Sequence, residues 1–219
     1  MSNNKTIVYY SANIEDPKLE QKVIDGINKV KGDIPVISVT QKPLNFGHNI
    51  CVGDVGYSYP NAFRQLLIGA EMATTDWIIC CESDCLYPPT GYFDYEPDDP
   101  TLIHTYTNVW LLFLRRRDLN TFRRKEQIHG SIIYDRKFLI DFLKNHMLKG
   151  FPMWSNNRKE RIPSYDPAVH KFKKFTGEPI VSLISGVNGR NGSTFTDSVK
   201  LAELPYWGSA KELKKVMLQ

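Results

Sequence analysis

The stretch Thr74–Pro89, TTDWIICCESDCLYPP, decides the fold. An apolar, β-rich run from Trp77 to Cys81 opens directly into the acidic triplet Glu82-Ser83-Asp84, and Cys85, Leu86, Tyr87 and two prolines close it. A short run of this kind reads as a buried parallel strand, and carboxylates at its carboxyl end stand where open α/β sheets bind ligands. The segments before it alternate in the same sense. Lys5 to Tyr10 reads as a first strand ending in the small and polar Ser11, Ala12 and Asn13. Asp16 and Pro17 supply the N-cap and first position of a helix whose Leu19, Val23, Ile27 and Val30 recur at helical spacing until Gly32. Ile34 to Val39 is a second strand. After a loop holding Pro43, Gly47, Gly53 and Gly56, Pro60 to Ala73 is a second helix. This alternation predicts an α/β fold with a Rossmann-like, mostly parallel sheet flanked by helices.

Further along, Thr101–Thr107, Val109–Leu114, Ser131–Tyr134 and Pro179–Ile184 read as strands, and Arg136 to Met147 and Ser209 to Leu218 as helices. Asp166 and Pro167 open a short helix, and Gly186 to Thr196 is a glycine-rich loop. With no internal repeat and no linker, residues 1–219 are read as one domain. A chain of 219 residues that is 42% apolar and 12% aromatic has the material for a real core, which excludes disorder. Its longest apolar runs fall far short of the ~20 residues that cross a bilayer. Met1 to Lys5 passes into an apolar run too short for a signal peptide, so a cytoplasmic location is expected. Cys51, Cys80, Cys81 and Cys85 include an adjacent pair and no repeated C-x-x-C, which predicts reduced thiols rather than a disulfide framework or zinc ribbon.

The net charge of +4 is unevenly spread. Residues 115–174 hold 16 Lys or Arg against 6 Asp or Glu, whereas the rest of the chain holds 12 against 18. Arg115, Arg116, Arg117, Arg123, Arg124 and Lys125 are interleaved with Phe113 and Phe122; Arg158, Lys159, Arg161, Lys171, Lys173 and Lys174 follow with Trp154 and Phe172. Such a segment is either a solvated face or the meeting place for an anionic partner: a nucleic acid, a polysaccharide or a lipid headgroup.

Glu82 and Asp84, two residues apart where a strand ends, can both face a ligand. Hard cations such as Mg²⁺ or Mn²⁺ favour carboxylate oxygens and keep positions open for phosphate. Alternatively the two are solvated loop acids. The wider context bears on that choice. Ser58–Pro89, SYPNAFRQLLIGAEMATTDWIICCESDCLYPP, resembles the donor half of GT-A glycosyltransferases related to family 2: an Arg-bearing helix, small residues (Gly69, Ala73), an apolar strand and a D-x-D-like triplet. Glu82, Asp84, Leu86 and Tyr87 match an E-H-D-x-L-Y form of that triplet, with Ser83 in place of the His. Tyr106 to Trp110, Ser164 to Pro167 (resembling a W-E-P element) and Gly186 with Asn188 (resembling H-G-x-N) follow in the family's order.

The resemblance implies a GT-A-like domain, with residues 1–100 as nucleotide-sugar donor half and 101–219 as basic acceptor half. It implies that Asp84 coordinates Mn²⁺ or Mg²⁺ and that Glu82 contacts the donor's ribose or the metal's water. Ser11 and Asn13 would line the nucleoside pocket, Arg64 would grip base or diphosphate, and Asn188 would close over the diphosphate. Asp166 would be the general base of an inverting transfer, although Asp before Pro is equally a helix N-cap. Ser185 stands where the family has a His, which leaves His104, His129 and His170 as substitutes. The implied function is a metal-dependent glycosyltransferase using a nucleoside-diphosphate sugar, UDP-linked above all. Its acceptor would be anionic, a hydroxymethylated base in phage-type DNA reached by Arg115, Arg116, Arg117, Arg123 and Arg124. The alternatives are transfer to a cell-surface polysaccharide or lipid, or a non-catalytic nucleotide- or nucleic-acid-binding domain. Nucleotidyl transfer ranks lower, since no glycine-rich phosphate loop follows the first strand.

Overall fold

The computed structural model describes residues 4–125, 128–163, 165, 170–186 and 199–219. Its main sheet is built from β1 (Lys5–Ser11), β2 (Val36–Thr40), β3 (His48–Cys51), β4 (Trp77–Glu82), β6 (Ile103–Tyr106), β9 (Ile132–Asp135) and β10 (Phe172–Phe175), in the order β3-β2-β1-β4-β9-β6-β10. Neighbours are parallel except for β9, which runs antiparallel to both β4 and β6. The chain winds outward from β1 to β3 and then returns to β4 on the other flank of β1. The strand order therefore reverses between β1 and β4, and a crevice opens at their carboxyl ends.

Period-2 alternation sorts the strand side chains into two cores. Val8, Tyr10, Ile78 and Cys80 point to the face covered by α2 (Tyr59–Met72) and α3 (Arg136–Phe142), which continues as a π-helical turn, Leu143–Met147. Ile7, Tyr9, Ile79 and Cys81 point to the opposite face, covered by α1 (Pro17–Val30). The adjacent Cys80 and Cys81 are thus divided between two cores, each a buried free thiol. Helix starts follow local chemistry: the Asp16 carboxylate accepts from Lys18 N at 2.8 Å ahead of Pro17, and Ser58 Oγ accepts from Asn61 N at 3.2 Å. Gly69 lets α2 lie close on β1, because a Cβ there would sit 2.4 Å from Val8 Cγ1.

A second sheet shares the core on the α1 side. It consists of β5 (Cys85–Leu86), β7 (Val109–Phe113), β8 (Phe122–Lys125), β11 (Ile180–Ile184) and β12 (Lys200–Leu201), ordered β12-β8-β7-β11-β5. A short hairpin, β13 (Glu203–Leu204) and β14 (Gly208–Ser209), leads into α4 (Ala210–Leu218). The α/β expectation holds, and the termini of α1, α2 and β4 fall within about one residue of their sequence readings. The structure adds β3, β8 and β10 and the two-residue strands β5, β12, β13 and β14, none of which the sequence pattern marks. The expected long helix from Arg136 is α-helical only to Phe142. No helix among the described residues is long and apolar enough to cross a membrane.

Candidate functional site

At the switch point lies a cleft of about 450 Å³. Its floor is the carboxyl ends of β1 (Tyr10, Ser11, Ala12) and β4 (Glu82, Ser83, Asp84), and one wall is the first turns of α2 with the preceding Tyr57 and Ser58. His129, Arg158 and Lys159 also line it, so the cleft draws on residues beyond 100 as well as before it.

Glu82-Ser83-Asp84 is the corner at which the chain leaves the main sheet and enters the second one. β4 ends at Glu82 and β5 begins at Cys85, and the corner is backed by β11, whose Leu183 N donates to Asp84 O at 2.7 Å. The Glu82 carboxylate is held from two sides: Tyr10 Oη donates to Oε1 at 3.1 Å and Gly130 N donates to Oε2 at 3.0 Å. Glycine at 130 suits that approach, because a Cβ there would stand 2.9 Å from Glu82 Oε2 and the carboxylate would have to shift. Asp84 Oδ1 accepts from Cys85 Sγ at 3.4 Å.

Both carboxylates are half-buried, and their titration reflects it. Burial raises the Glu82 carboxyl above its ordinary range, against the Gly130 and Tyr10 hydrogen bonds. Burial, followed by the neighbouring Glu82 charge, pushes Asp84 up to about 8. Glu15, buried and bonded by Ser185 Oγ at 2.7 Å, adds a smaller upward push. Burial, then the Asp84 charge, takes the Tyr57 hydroxyl up to about 12. Negative charge is therefore concentrated and under-compensated here. Ligand atoms of Glu82, Asp84 and Cys85 all lie within 4.8 Å of one another, a spacing a single cation can bridge.

The structure brings together some of the sequence's candidates and separates others. Ser11, Glu82 and Asp84 line the cleft. Asn13 is adjacent, but its side chain is engaged in scaffolding: Nδ2 donates to Glu20, and Oδ1 accepts from Gln41 N and Lys42 N, both at 2.9 Å. Its positive φ of 49° makes the turn that allows this. Arg64 is not among the cleft-lining residues; Nη2 donates to Phe151 O at 3.2 Å and tethers the irregular segment after α3. Of the proposed acceptor cations, Arg115, Arg116 and Arg117 are exposed in the turn after β7, with Arg116 paired to Asp118 at 2.9 Å. Arg123 and Arg124 lie on β8, and Arg124 is occupied by Asn108 Oδ1 (2.8 Å), Thr107 O (2.6 Å) and the Trp110 ring. Asp166 and Asn188 lie outside the described residues. Of the three histidines considered as metal substitutes, His129 is in the cleft, His104 is bonded in the interior and His170 packs on Phe142.

Sequence reasoning missed the groups that shape the cleft. Asn61 and Gln65, one turn apart on the buried face of α2, splice its edges. Gln65 Nε2 joins Ser11 O (2.8 Å) to Val39 O (2.7 Å), while Asn61 Nδ2 joins Val55 O (2.8 Å) to Ser155 O (2.8 Å) and Asn61 Oδ1 accepts from Ser155 N. Polar residues at i and i+4 on an otherwise apolar helix face were the available signal. Through Asn61 the segment carrying Arg158 and Lys159 is seated over the cleft, with Arg158 stacked on Tyr57 and Arg161 on Tyr59. In the sequence these cations register only as part of the basic run.

The sequence matches no protein-family model and no curated protein. Among solved structures, the chain is similar to the inositol-1-phosphate CTP transferase from T. maritima, with a TM-score of 0.50 and 10% identity over 87% of this chain and 93% of that one. It is also similar to a glycosyltransferase involved in glycosylation of the major capsid of PBCV-1 (TM-score 0.39, 12% identity, 68% of this chain and 71% of that one). A third is HddC from Yersinia pseudotuberculosis (TM-score 0.43, 11% identity, 81% and 92%). The likeness to the first is one of fold: mixed α/β and GT-A-like, with a large, mostly parallel sheet flanked by helices.

Proposed function

We propose that the chain is a glycosyltransferase that binds a nucleoside-diphosphate sugar, a UDP-sugar in the first instance, and transfers the sugar to an acceptor hydroxyl. The observation that supports this is the meeting, in one cleft at the switch point, of a half-buried carboxylate pair and the cations Arg158 and Lys159. The donor set fits a divalent cation: two half-buried carboxylates, both raised by burial and Asp84 further by the Glu82 charge, gain from a shared positive charge. Carboxylate oxygens suit Mn²⁺ or Mg²⁺, with Asp84 and Glu82 as the holders. When bound, such an ion neutralises the departing diphosphate.

The chain's own groups do the rest. Tyr10 Oη and Gly130 N fix the orientation of Glu82. Arg158 and Lys159, in the lining of the same cleft, offset phosphate charge, and Ser11 and Tyr57 bound the space left for the nucleoside. The acceptor oxygen forms a bond to C1 of the sugar as the bond from C1 to the diphosphate breaks, and the acceptor's proton passes to a general base, assigned to Asp166. The exposed Arg115–Arg117 run, within a segment of strong positive balance, supports an anionic acceptor, and hydroxymethylated DNA is the reading proposed.

The test is thermal shift and sugar release with UDP-, GDP- and dTDP-sugars, with and without Mn²⁺, then labelled-sugar transfer to DNA containing 5-hydroxymethylcytosine at rising salt. Stabilisation by donor plus Mn²⁺ beyond either alone, with slow release of free sugar, is expected. No shift and no release with any donor removes the reading, and release without DNA labelling removes only the acceptor. Nucleotidyl transfer is the second reading, prompted by the fold shared with a CTP transferase. It would release pyrophosphate from a nucleoside triphosphate. The glycine-free turn Ser11–Glu15 after β1 favours the diphosphate donor.

A further inference from the structure

Cys85 differs from the other three cysteines in what its sulfur touches. Cys80 and Cys81 are buried in the two cores, and Cys51 is exposed and donates from Sγ to Gln41 O at 3.5 Å. Cys85 is buried against the acidic corner, with its Sγ 3.4 Å from Asp84 Oδ1 and 4.0 Å from Glu82 Oε2. Both carboxylates line the cleft, and one ligand atom from each of the three residues lies within 4.8 Å of the others. An ion that reaches the two acids from the cleft is therefore within reach of the sulfur as well.

Each member of this trio is anchored separately. Cys85 pairs with Ser182 in the ladder of β5 and β11, and Leu183 N donates to Asp84 O at 2.7 Å. Glu82 is held by Gly130 N and Tyr10 Oη. Neither carboxylate has a Lys, Arg or His ion pair among the described residues. Anions taken out of water are ordinarily paired with a cation or bound to a metal, whereas these two meet only a thiol and neutral donors.

The spacing suits a small cation with tetrahedral ligands. Zinc bound to oxygen at ~2.0 Å and to thiolate sulfur at ~2.3 Å sets those two ligand atoms roughly 3.5 Å apart. The two sulfur–oxygen separations at the corner bracket that value. A thiol hydrogen bond to a carboxylate has a similar length, so sulfur coordination is a question for spectroscopy.

We propose that Cys85 is the third protein ligand of the cation site, so that the corner offers two oxygens and one sulfur and takes Zn²⁺ or Co²⁺ in preference to Mg²⁺. This rests on the cation-site reading of Glu82 and Asp84 above. Thiolate sulfur is a soft donor that suits zinc-like ions, whereas Mg²⁺ keeps to oxygen. On binding, a sulfur–metal bond forms and the thiol proton leaves to solvent. Three protein ligands leave a fourth tetrahedral position for a diphosphate oxygen. Mixed-donor sites in general rank Zn²⁺ above Mn²⁺, so the diagnostic quantity is the part of the preference that Cys85 carries.

The experiment compares Cys85→Ser and Cys85→Ala with a Cys51→Ser parent, in which the exposed thiol is removed from all three proteins. Near-ultraviolet absorption is recorded with Co²⁺, and Zn²⁺, Mg²⁺ and Mn²⁺ affinities are measured by calorimetry. The parent should show a sulfur-to-cobalt charge-transfer band that both Cys85 variants lack. Zn²⁺ binding should weaken roughly 100-fold in both, since disturbing even the outer partners of a metal ligand costs roughly 10- to 100-fold, while Mg²⁺ and Mn²⁺ change less than about threefold. Asp84→Asn should weaken all four ions. Melts in EDTA check that the variants fold. Should neither Cys85 variant fold, retention of the parent's band in both Cys80→Ala and Cys81→Ala supports Cys85, and its loss in either overturns it. Co²⁺ bound without the band, a band that survives in the Cys85 variants, or Zn²⁺ affinity unchanged by them overturns the assignment while leaving the carboxylate site standing. If the parent binds none of the four ions, or Asp84→Asn binds them as tightly, the cation-site reading falls and the role of Cys85 falls with it.

Discussion

Asp84→Asn isolates what the acidic corner costs the folded protein. The carboxyl, ordinarily near 3.8, is pushed up to about 8 by burial first and the Glu82 charge second. A carboxyl with a raised folded pKa holds its proton more tightly folded than unfolded. Its contribution to stability is therefore full below the unfolded pKa and is lost as pH climbs from about 4 towards 8. The interval from 3.8 to pH 7, at about 1.36 kcal/mol per unit, amounts to roughly 4 kcal/mol of destabilisation in the ionised, metal-free protein. Water reaching the half-buried carboxylate screens part of this, leaving about 1–3 kcal/mol. Asparagine keeps the shape and removes the charge. In chelator at pH 7.5 the variant should melt above wild type by roughly 2–10 °C, and the gap should close as pH approaches 4. Circular dichroism melts from pH 4 to 8.5 in EDTA measure this. Adding Mn²⁺ should reverse the order, since only wild type gains a ligand. A variant no more stable than wild type at pH 7.5, or a wild-type midpoint that does not fall between pH 5 and 8, refutes the reasoning.

Other expectations follow from individual contacts. Gly130→Ala places a methyl against Glu82 Oε2 and should cost about 1–3 kcal/mol in thermal melts while weakening Mn²⁺ binding measured by calorimetry. Asn61→Ala strands the Ser155 amide and the carbonyls of Val55 and Ser155, while Gly56 O keeps Gln41 Nε2; it should destabilise by about 2–4 kcal/mol, with limited proteolysis shifting to the segment around Ser155. Replacing Arg158 and Lys159 together with Ala should reduce nucleoside-diphosphate affinity by roughly tenfold or more in low salt, and by less as salt is raised. Asp166→Asn should lower transfer by roughly 10²- to 10⁴-fold with donor affinity unchanged.

The parts of the fold legible in the sequence were those whose patterns point to a core. β1, β4 and α1 are read correctly because their apolar positions follow strand or helix periodicity and their caps are in place. Of the strands of four residues that were missed, all carry residues that face solvent. β3 and β10 are the two edges of the main sheet, and β8 lies beneath only the two-residue edge strand β12 of the second. Edge strands protect themselves with charge, so FKKF registers as a basic run and not as a strand, and the half-buried FRRK beside an edge registers the same way. Part of the basic third is thus sheet margin. In the site, Glu82 and Asp84 were visible because a carboxylate after a buried strand is anomalous. The same reasoning pointed to Arg64, one residue from the cleft-lining Phe63 and Gln65, because charge was weighed above helical phase. Asn61, Gln65, Tyr57, His129 and Arg158 gain meaning only when chain crossings bring them to one crevice.

The backing of Asp84 by Leu183 has a consequence for biosynthesis. The walls of the cleft are present once the chain has been made to Lys159, yet the strand that buttresses the acidic corner ends at Ile184. A pairing between such distant positions closes late, after the local elements have condensed. Until then a nascent chain would display an open crevice with a loosely held carboxylate pair. Competence to grip an ion would come as one of the final events of maturation, and fragments ending before residue 180 should fold in part but remain indifferent to manganese.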